Sequence, residues 1–275
     1  MGAYPACPGY GQATYRRATF TPAQAASYNP ADTGGIDGVG GSGAYAAMND
    51  DAAGLDTFAV ARNRMVDSQI RPNRVNDLRI VAAMRELPRE LFVPDSARPL
   101  AYADRPVAVA PGRWLMEPRI TARLLQVSEP RAGERALVIA AGAGYTAMLL
   151  CKLGVSVTAL EFDAGLAGRC EALALRLAAG LPGELTVVRG SLPGGWKQGA
   201  PYDLILIDGG VRQLPDGLAA QLAEDGRLAT VLVPQDGVGT AVLAEASTQG
   251  LRARAQFDAN TPPIPEFSPA PGFRF

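Results

Sequence analysis

Residues 136–150, ALVIAAGAGYTAMLL, decide the fold. A short apolar run with Val138 and Ile139 leads into Gly142 and Gly144, and then into a helix-like run. This is the pattern of a strand, a tight glycine turn and a helix. The alternation continues downstream. VSVTALE (155–161) reads as a strand and AGLAGRCEALALRLAAG (164–180) as a helix. LTVVRG (185–190) and YDLILIDGG (202–210) read as strands, LPDGLAAQLAEDG (214–226) as a helix and RLATVLV (227–233) as another strand. The strands are short continuous apolar runs, as expected when a parallel sheet is covered on both faces. The expected fold class is therefore α/β, a doubly wound, mostly parallel sheet.

Upstream of that sheet the pattern is helical. DTFAVARNRMVDSQI (56–70) reads as one helix, stopped near Pro72. Asn76 is placed to cap a second, DLRIVAAMRELP, with Leu78, Val81, Ala82 and Leu87 along one face. Pro88 ends it, and residues 90–116 read as a Pro-rich connector. Pro118 suits the first turn of a further helix, RITARLLQV, with Ile120, Leu124 and Val127 on one side. Residues 1–47 are rich in Gly, Ala, Pro and Tyr without helical or strand period, so they read as disordered or as an extension preceding a start at Met48. The division expected is 1–47, then a helical region and substrate-side connector over 48–117, then the α/β domain with its tail over 118–275.

Composition limits the chemistry. With 26 Lys and Arg against 27 Asp and Glu, the net charge is -1, which gives no general attraction to nucleic acid or an anionic membrane. No apolar run is long enough to span a bilayer. The three cysteines lack metal-ligand spacing and are too few for a disulfide framework, so no metal is expected and a reducing compartment is. There is no histidine, so catalysis must use carboxylates, hydroxyls or positioning alone.

In a doubly wound sheet, ligands bind beyond the carboxyl ends of the strands, at the switch point beside the first strand. That gathers Ala140 to Tyr145, Glu161 to Asp163, Gly190 to Leu192 and Asp208 to Gly210 around one crevice. Gly142 and Gly144 leave room for a ligand where a Cβ would obstruct it. Glu161 ends the second strand, where a carboxylate can accept both ribose hydroxyls. Together these features describe a nucleoside pocket. Gly142-x-Gly144-x-x-Ala147 fits a dinucleotide fingerprint; the same layout serves S-adenosylmethionine, and the turn alone does not choose between them.

The upstream stretch RMVDSQIRPNRVNDLRIVAAMRELPRELFVPDSARPLAYADRPVAV, followed in order by the glycine turn, VTALEFDAGLA, YDLILIDGG and QLAEDGRL, resembles the protein-L-isoaspartate O-methyltransferases. The similarity runs over about residues 62–234, and the tail FDANTPPIPEFSPAPGFRF resembles a divergent, alphaproteobacteria-like branch. The resemblance implies a Rossmann-like sheet of the S-adenosylmethionine-dependent methyltransferase type with an N-terminal helical region. It also implies a cytoplasmic repair enzyme that moves the cofactor's methyl to the isoaspartyl carboxylate of a damaged protein or peptide. Carried over residue by residue, the cofactor-binding positions are Ala140, Gly142, Gly144, Glu161, Ser191 and Leu192.

Four positions depart from the family pattern. The family's GQTISQP-like segment reads GRWLMEP (112–118), putting Met116 at its substrate-contacting Ser and Trp114 at the preceding Thr. A thioether has no O–H to donate. Val138 replaces the acid on the first strand, Ala140 replaces its neighbouring glycine, and Ser191 replaces the Asp facing the adenine amine. Arg113 and Arg119 flank the altered segment, and a guanidinium there can clamp a carboxylate at two points. Arg113 is accordingly a candidate substrate-side residue, and Asp208, at the end of the fourth strand where it can face the methyl acceptor, is the other. Two readings follow: a methyltransferase of the isoaspartyl type, or a catalytically silent homologue that binds a nucleoside or a protein partner.

Overall fold

The computed structural model describes residues 57–177 and 180–267; the expectations for residues 1–47 lie outside them. A seven-stranded sheet runs β5-β4-β3-β6-β7-β8-β9. Its strands are β3 (Arg135–Ile139), β4 (Ser156–Glu161), β5 (Leu185–Arg189), β6 (Tyr202–Val211), β7 (Leu222–Leu232), β8 (Thr240–Ser247) and β9 (Gly250–Asp258). The first five in chain order pair in parallel, while β8 and β9 add antiparallel at one edge. Because β3 is flanked by β4 on one side and β6 on the other, the strand order reverses at its carboxyl end.

The apolar runs alternate between two cores. Ala136 and Val138 of β3, with Leu204 and Leu206 of β6, enter one buried cluster, and Leu137, Ile139, Ile205 and Ile207 enter the other. The register sets Ala136 beside Leu204 and Val138 beside Leu206, so each face is one continuous apolar surface. Sealing a Leu or Ile side chain from water is worth about 1.5–3 kcal/mol, so both apolar faces of these strands require a covering layer.

The first face is covered by the N-terminal helices and by the helices that follow β3 and β4. Residues 57–65 form α1, which continues as a π-helical segment, Val66–Ile70, and a 3-10 turn, Arg71–Asn73, containing Pro72. After α2 (Leu78–Glu86) come 3-10 turns at Arg89–Phe92 and Asp95–Leu100, then α3 (Pro118–Ser128), α4 (Tyr145–Lys152) and α5 (Ala164–Leu177). Met65, Ile70, Ile80, Met84 and Phe92 share one buried cluster with Met148 of α4 and Cys170 of α5, so the helical region closes the sheet's own core. Every residue of α4 from Tyr145 to Cys151 is buried, as expected for a helix apolar on all sides.

Several local expectations change. Asp77, not Asn76, caps α2, its side chain accepting from the Arg79 N–H at 2.9 Å. Leu78 is 78% exposed, and the buried face is Ile80, Val81, Ala83 and Met84, with Ala82 exposed. The connector holds an antiparallel hairpin of β1 (Val107–Ala110) and β2 (Arg113–Leu115), turning at Gly112. The helix expected over 214–226 shrinks to a 3-10 turn, Asp216–Gln221, because β7 begins at Leu222, paired with Tyr202. Pro118 does start α3, with Ile120 and Leu124 buried.

Candidate functional site

The candidate site sits where the strand order reverses, at the carboxyl ends of β3, β4 and β6. The turn after β3 is held by Ala141 N–H donating to the Leu160 carbonyl at 3.1 Å and Gly144 N–H to the Ala141 carbonyl at 2.8 Å. Ala140 adopts φ +61°, a left-handed conformation that costs a non-glycine residue about 1–2 kcal/mol.

Gly142 and Gly144 do different work. Around Gly142 (φ +58°) nothing lies within 4 Å of where a Cβ would stand, so the space on that side is open. Gly144 (φ +94°) sits at the start of α4, and a Cβ there would come within 2.5 Å of Cys170 Sγ. Its lack of a side chain serves helix packing. Gly144→Ala is expected to lower stability by about 2 kcal/mol, from left-handed strain plus overlap with Cys170. Urea unfolding checks this: an unchanged midpoint would mean that α4 and α5 part easily at this point.

Glu161 ends β4, fully buried. Its Oε2 accepts from Gly142 N–H at 2.8 Å; its Oε1 accepts from Phe162 N–H at 2.8 Å and Asp163 N–H at 3.0 Å. The turn after β3 and the loop after β4 thus both aim N–H groups at one carboxylate. That carboxylate also receives Arg113 from β2 as a two-point fork, Nη1 to Oε1 at 2.6 Å and Nη2 to Oε2 at 2.8 Å. Arg113 is itself buried. The guanidinium–carboxylate geometry expected of Arg113 is present, and its partner is the chain's own Glu161.

The other altered residues separate. Met116 is buried with Ile120, Leu124, Ala229 and Val231, part of the core between α3 and β7. Trp114 is 39% exposed, on the hairpin opposite Ala108. Arg119 is half-buried and pairs with Glu117 at 3.0 Å and Asp104 at 3.3 Å. Val138 is wholly buried in the sheet core. Ser191 is exposed just past β5, while the Leu192 side chain packs in the second core beside Ala140 and Leu160.

Asp208 lies on β6, 7% exposed, and its Oδ1 has no hydrogen-bond partner. Burial pushes its pKa up to about 6; the facing Thr146 hydroxyl and the charges of Arg113 and Arg89 pull it down, and Glu161 pushes it up. Thr146 Oγ1 approaches it without completing a hydrogen bond of its own.

Sequence reasoning missed Arg89, which lies in the PREL stretch and is fully buried. Its Nε donates to the Ala101 carbonyl at 2.7 Å, Nη2 donates to the Met116 carbonyl, and its guanidinium carbon stands 4.8 Å from the Tyr145 ring centre. Burial lowers its pKa and raises that of Tyr145. Arg89 therefore ties the upstream helical region to the GRWLMEP segment and to the first turn of α4. The signal for it was in the sequence, as one of two adjacent charged residues, Arg89 and Glu90, set within the LPRELF stretch, but its partners lie far along the chain.

Glycine turn, strand-end acid and reversed strand order together define the class, an open, doubly wound α/β domain. Residues 60–251 match the family Protein-L-isoaspartate(D-aspartate) O-methyltransferase (PCMT). The chain belongs to that family. It is 40% identical over 181 residues to protein-L-isoaspartate O-methyltransferase 1 of Rhodopseudomonas palustris (strain HaA2), covering 66% of this chain and 71% of that one. It is 39% identical over 180 residues to the protein-L-isoaspartate O-methyltransferase of Methylorubrum extorquens (strain PA1), covering 65% and 77%. Among solved structures, the fold is similar to that of a beta-aspartate methyltransferase from Plasmodium falciparum in complex with S-adenosyl-L-homocysteine. That match has a TM-score of 0.62 and 17% identity, and covers 74% of this chain and 98% of that one. Among the described residues no helix is long and apolar enough to cross a membrane.

Proposed function

We propose that this chain transfers the methyl of S-adenosylmethionine to the isoaspartyl carboxylate of damaged proteins, in the cytoplasm. The observation that carries the reading is Glu161, a strand-end acid beside the glycine turn in a chain of this family. The relatives bear the name of the enzyme, and nothing in them favours the silent alternative.

The residues present fit the cofactor's nucleoside. Three backbone N–H groups fix the Glu161 carboxylate, and the open side of Gly142 adjoins it. Glu161 would hold the ribose hydroxyls, with Ala140 and Gly142 lining the approach and Ser191 and Leu192 on the base side. When bound, the cofactor supplies an electrophilic methyl group on a sulfonium. The protein's part is positioning. A free carboxylate with a pKa of about 4 is already charged at neutral pH and needs no base, which suits a chain without histidine. The buried thiols of Cys151 and Cys170, both pushed up to about 12 by burial, are not available as nucleophiles.

Incubation with methyl-labelled S-adenosylmethionine and an isoaspartyl peptide is expected to give a base-labile methyl ester, and the matching aspartyl peptide none. Equal labelling of both peptides, or of neither, would sink this assignment.

A further inference from the structure

Resting on that reading, we propose that Arg113 gates the nucleoside site, its guanidinium holding the Glu161 carboxylate until the ribose hydroxyls displace it, with Asp208 as its second seat. The argument begins with acceptor capacity. A carboxylate offers about four lone-pair positions. Glu161 already takes three backbone N–H donors and two from Arg113. No acceptor position is left for a diol.

The five donors are not equally movable. Gly142, Phe162 and Asp163 are fixed by the turn after β3 and the loop after β4, and both are tied to the sheet. Arg113 comes from a two-stranded hairpin outside the main sheet, so its fork is carried by a side chain and not by an N–H tied to the ladder. A buried guanidinium cannot leave one anion without reaching another. Asp208 provides it. It lies on β6, against which β2 packs, it is close enough to Arg113 to feel its charge, and its Oδ1 is unpartnered. One guanidinium thus faces two buried carboxylates, one saturated and one with a vacant oxygen.

A purely structural ion pair makes the opposite forecast. If the pair only props the hairpin, removing the guanidinium disorders the site and weakens binding. If Arg113 competes with the ligand, removing it frees Glu161 and tightens binding.

The test is calorimetry with S-adenosyl-L-homocysteine on the full chain. Arg113→Gln is expected to lower Kd by about tenfold or more relative to wild type. Asp208→Asn, which keeps Arg113 but discharges its second seat, is expected to raise Kd several-fold. The ligand's shift of Tm is read alongside for each variant, since it reports binding by whatever fraction is folded. Unchanged or weaker binding by Arg113→Gln, with wild type binding measurably, would overturn the gate and leave the cofactor reading standing. Unchanged binding by Asp208→Asn would overturn the second seat. No binding by wild type and Arg113→Gln alike would sink the cofactor reading and the gate with it.

Discussion

Replacing Glu161 by alanine is expected to cost about 3–5 kcal/mol of stability as well as the ability to bind a nucleoside. The wild-type carboxylate satisfies three backbone N–H groups and both Nη atoms of a buried arginine. Alanine leaves the three N–H groups without an acceptor, and Arg113 loses its two-point fork, with the single free oxygen of Asp208 as the anion left to turn to. A conservative Glu161→Gln keeps one acceptor oxygen but brings an NH2 up against two sets of donors, so it should recover little. The double variant Glu161→Ala, Arg113→Met removes the stranded charge together with its partner. It is expected to be more stable than Glu161→Ala alone by about 1–3 kcal/mol, leaving mainly the turn N–H groups unsatisfied. Urea unfolding of wild type, Glu161→Ala, Arg113→Met and the double variant makes the measurement. A loss below about 1 kcal/mol for Glu161→Ala would mean that water reaches the pair and the site is open.

How much of this was legible in the sequence depends on the range of the interaction. β3 through β6 could be read because each is a short apolar run punctuated by a glycine turn or a helix pattern, a signal local to each run. Their burial on both faces, Val138 to one core and Ile139 to the other, follows from that run. The helix assigned to 214–226 failed because its apolar residues compete for two partners. Leu218 packs into the core as a single turn, while Leu222 is claimed by the ladder with Tyr202, and tertiary pairing overrides a modest helical preference. The β8–β9 hairpin has its own signal, the alternation in LRARAQFD that follows Gly250. Likewise the Pro111-Gly112 turn marked the β1–β2 hairpin that carries Arg113.

The site divides in the same way. Gly142, Gly144 and Glu161 announce themselves by position relative to a strand end. The chemistry of Arg113, a fork for a carboxylate, was also readable from its type. Its partner was not, because Arg113 and Glu161 are 48 residues apart and belong to different elements. Met116 shows the converse. Its place in the GRWLMEP segment points to the substrate side, yet its side chain belongs to the core with Ile120 and Val231. A motif position tells where the backbone goes; burial decides which way the side chain turns.

Asp208 should make the protein's stability fall as pH rises from about 4 to about 6. Its carboxyl ionises near 3.8 when unfolded and near 6 when folded. Between those values the unfolded chain has released a proton that the folded chain still holds, so each step up in pH favours unfolding. Below pH 4 both forms are protonated and the burial costs nothing extra. Above pH 6 both are ionised and the full penalty applies, about 3 kcal/mol for a shift of roughly two units. Desolvation dominates; Thr146, Arg113 and Arg89 offset part of it and the charge of Glu161 adds to it. Asp208→Asn removes the ionisation while keeping the shape. The variant should therefore unfold at nearly the same urea concentration as wild type at pH 4, and be more stable by about 1–3 kcal/mol at pH 7.5. A difference that does not change between the two pH values would show that Asp208 stays charged in the fold, held there by the guanidinium groups of Arg113 and Arg89. In that case Arg113 would already be drawn toward its second seat in the free protein, and the Glu161 carboxylate would be correspondingly easier to claim.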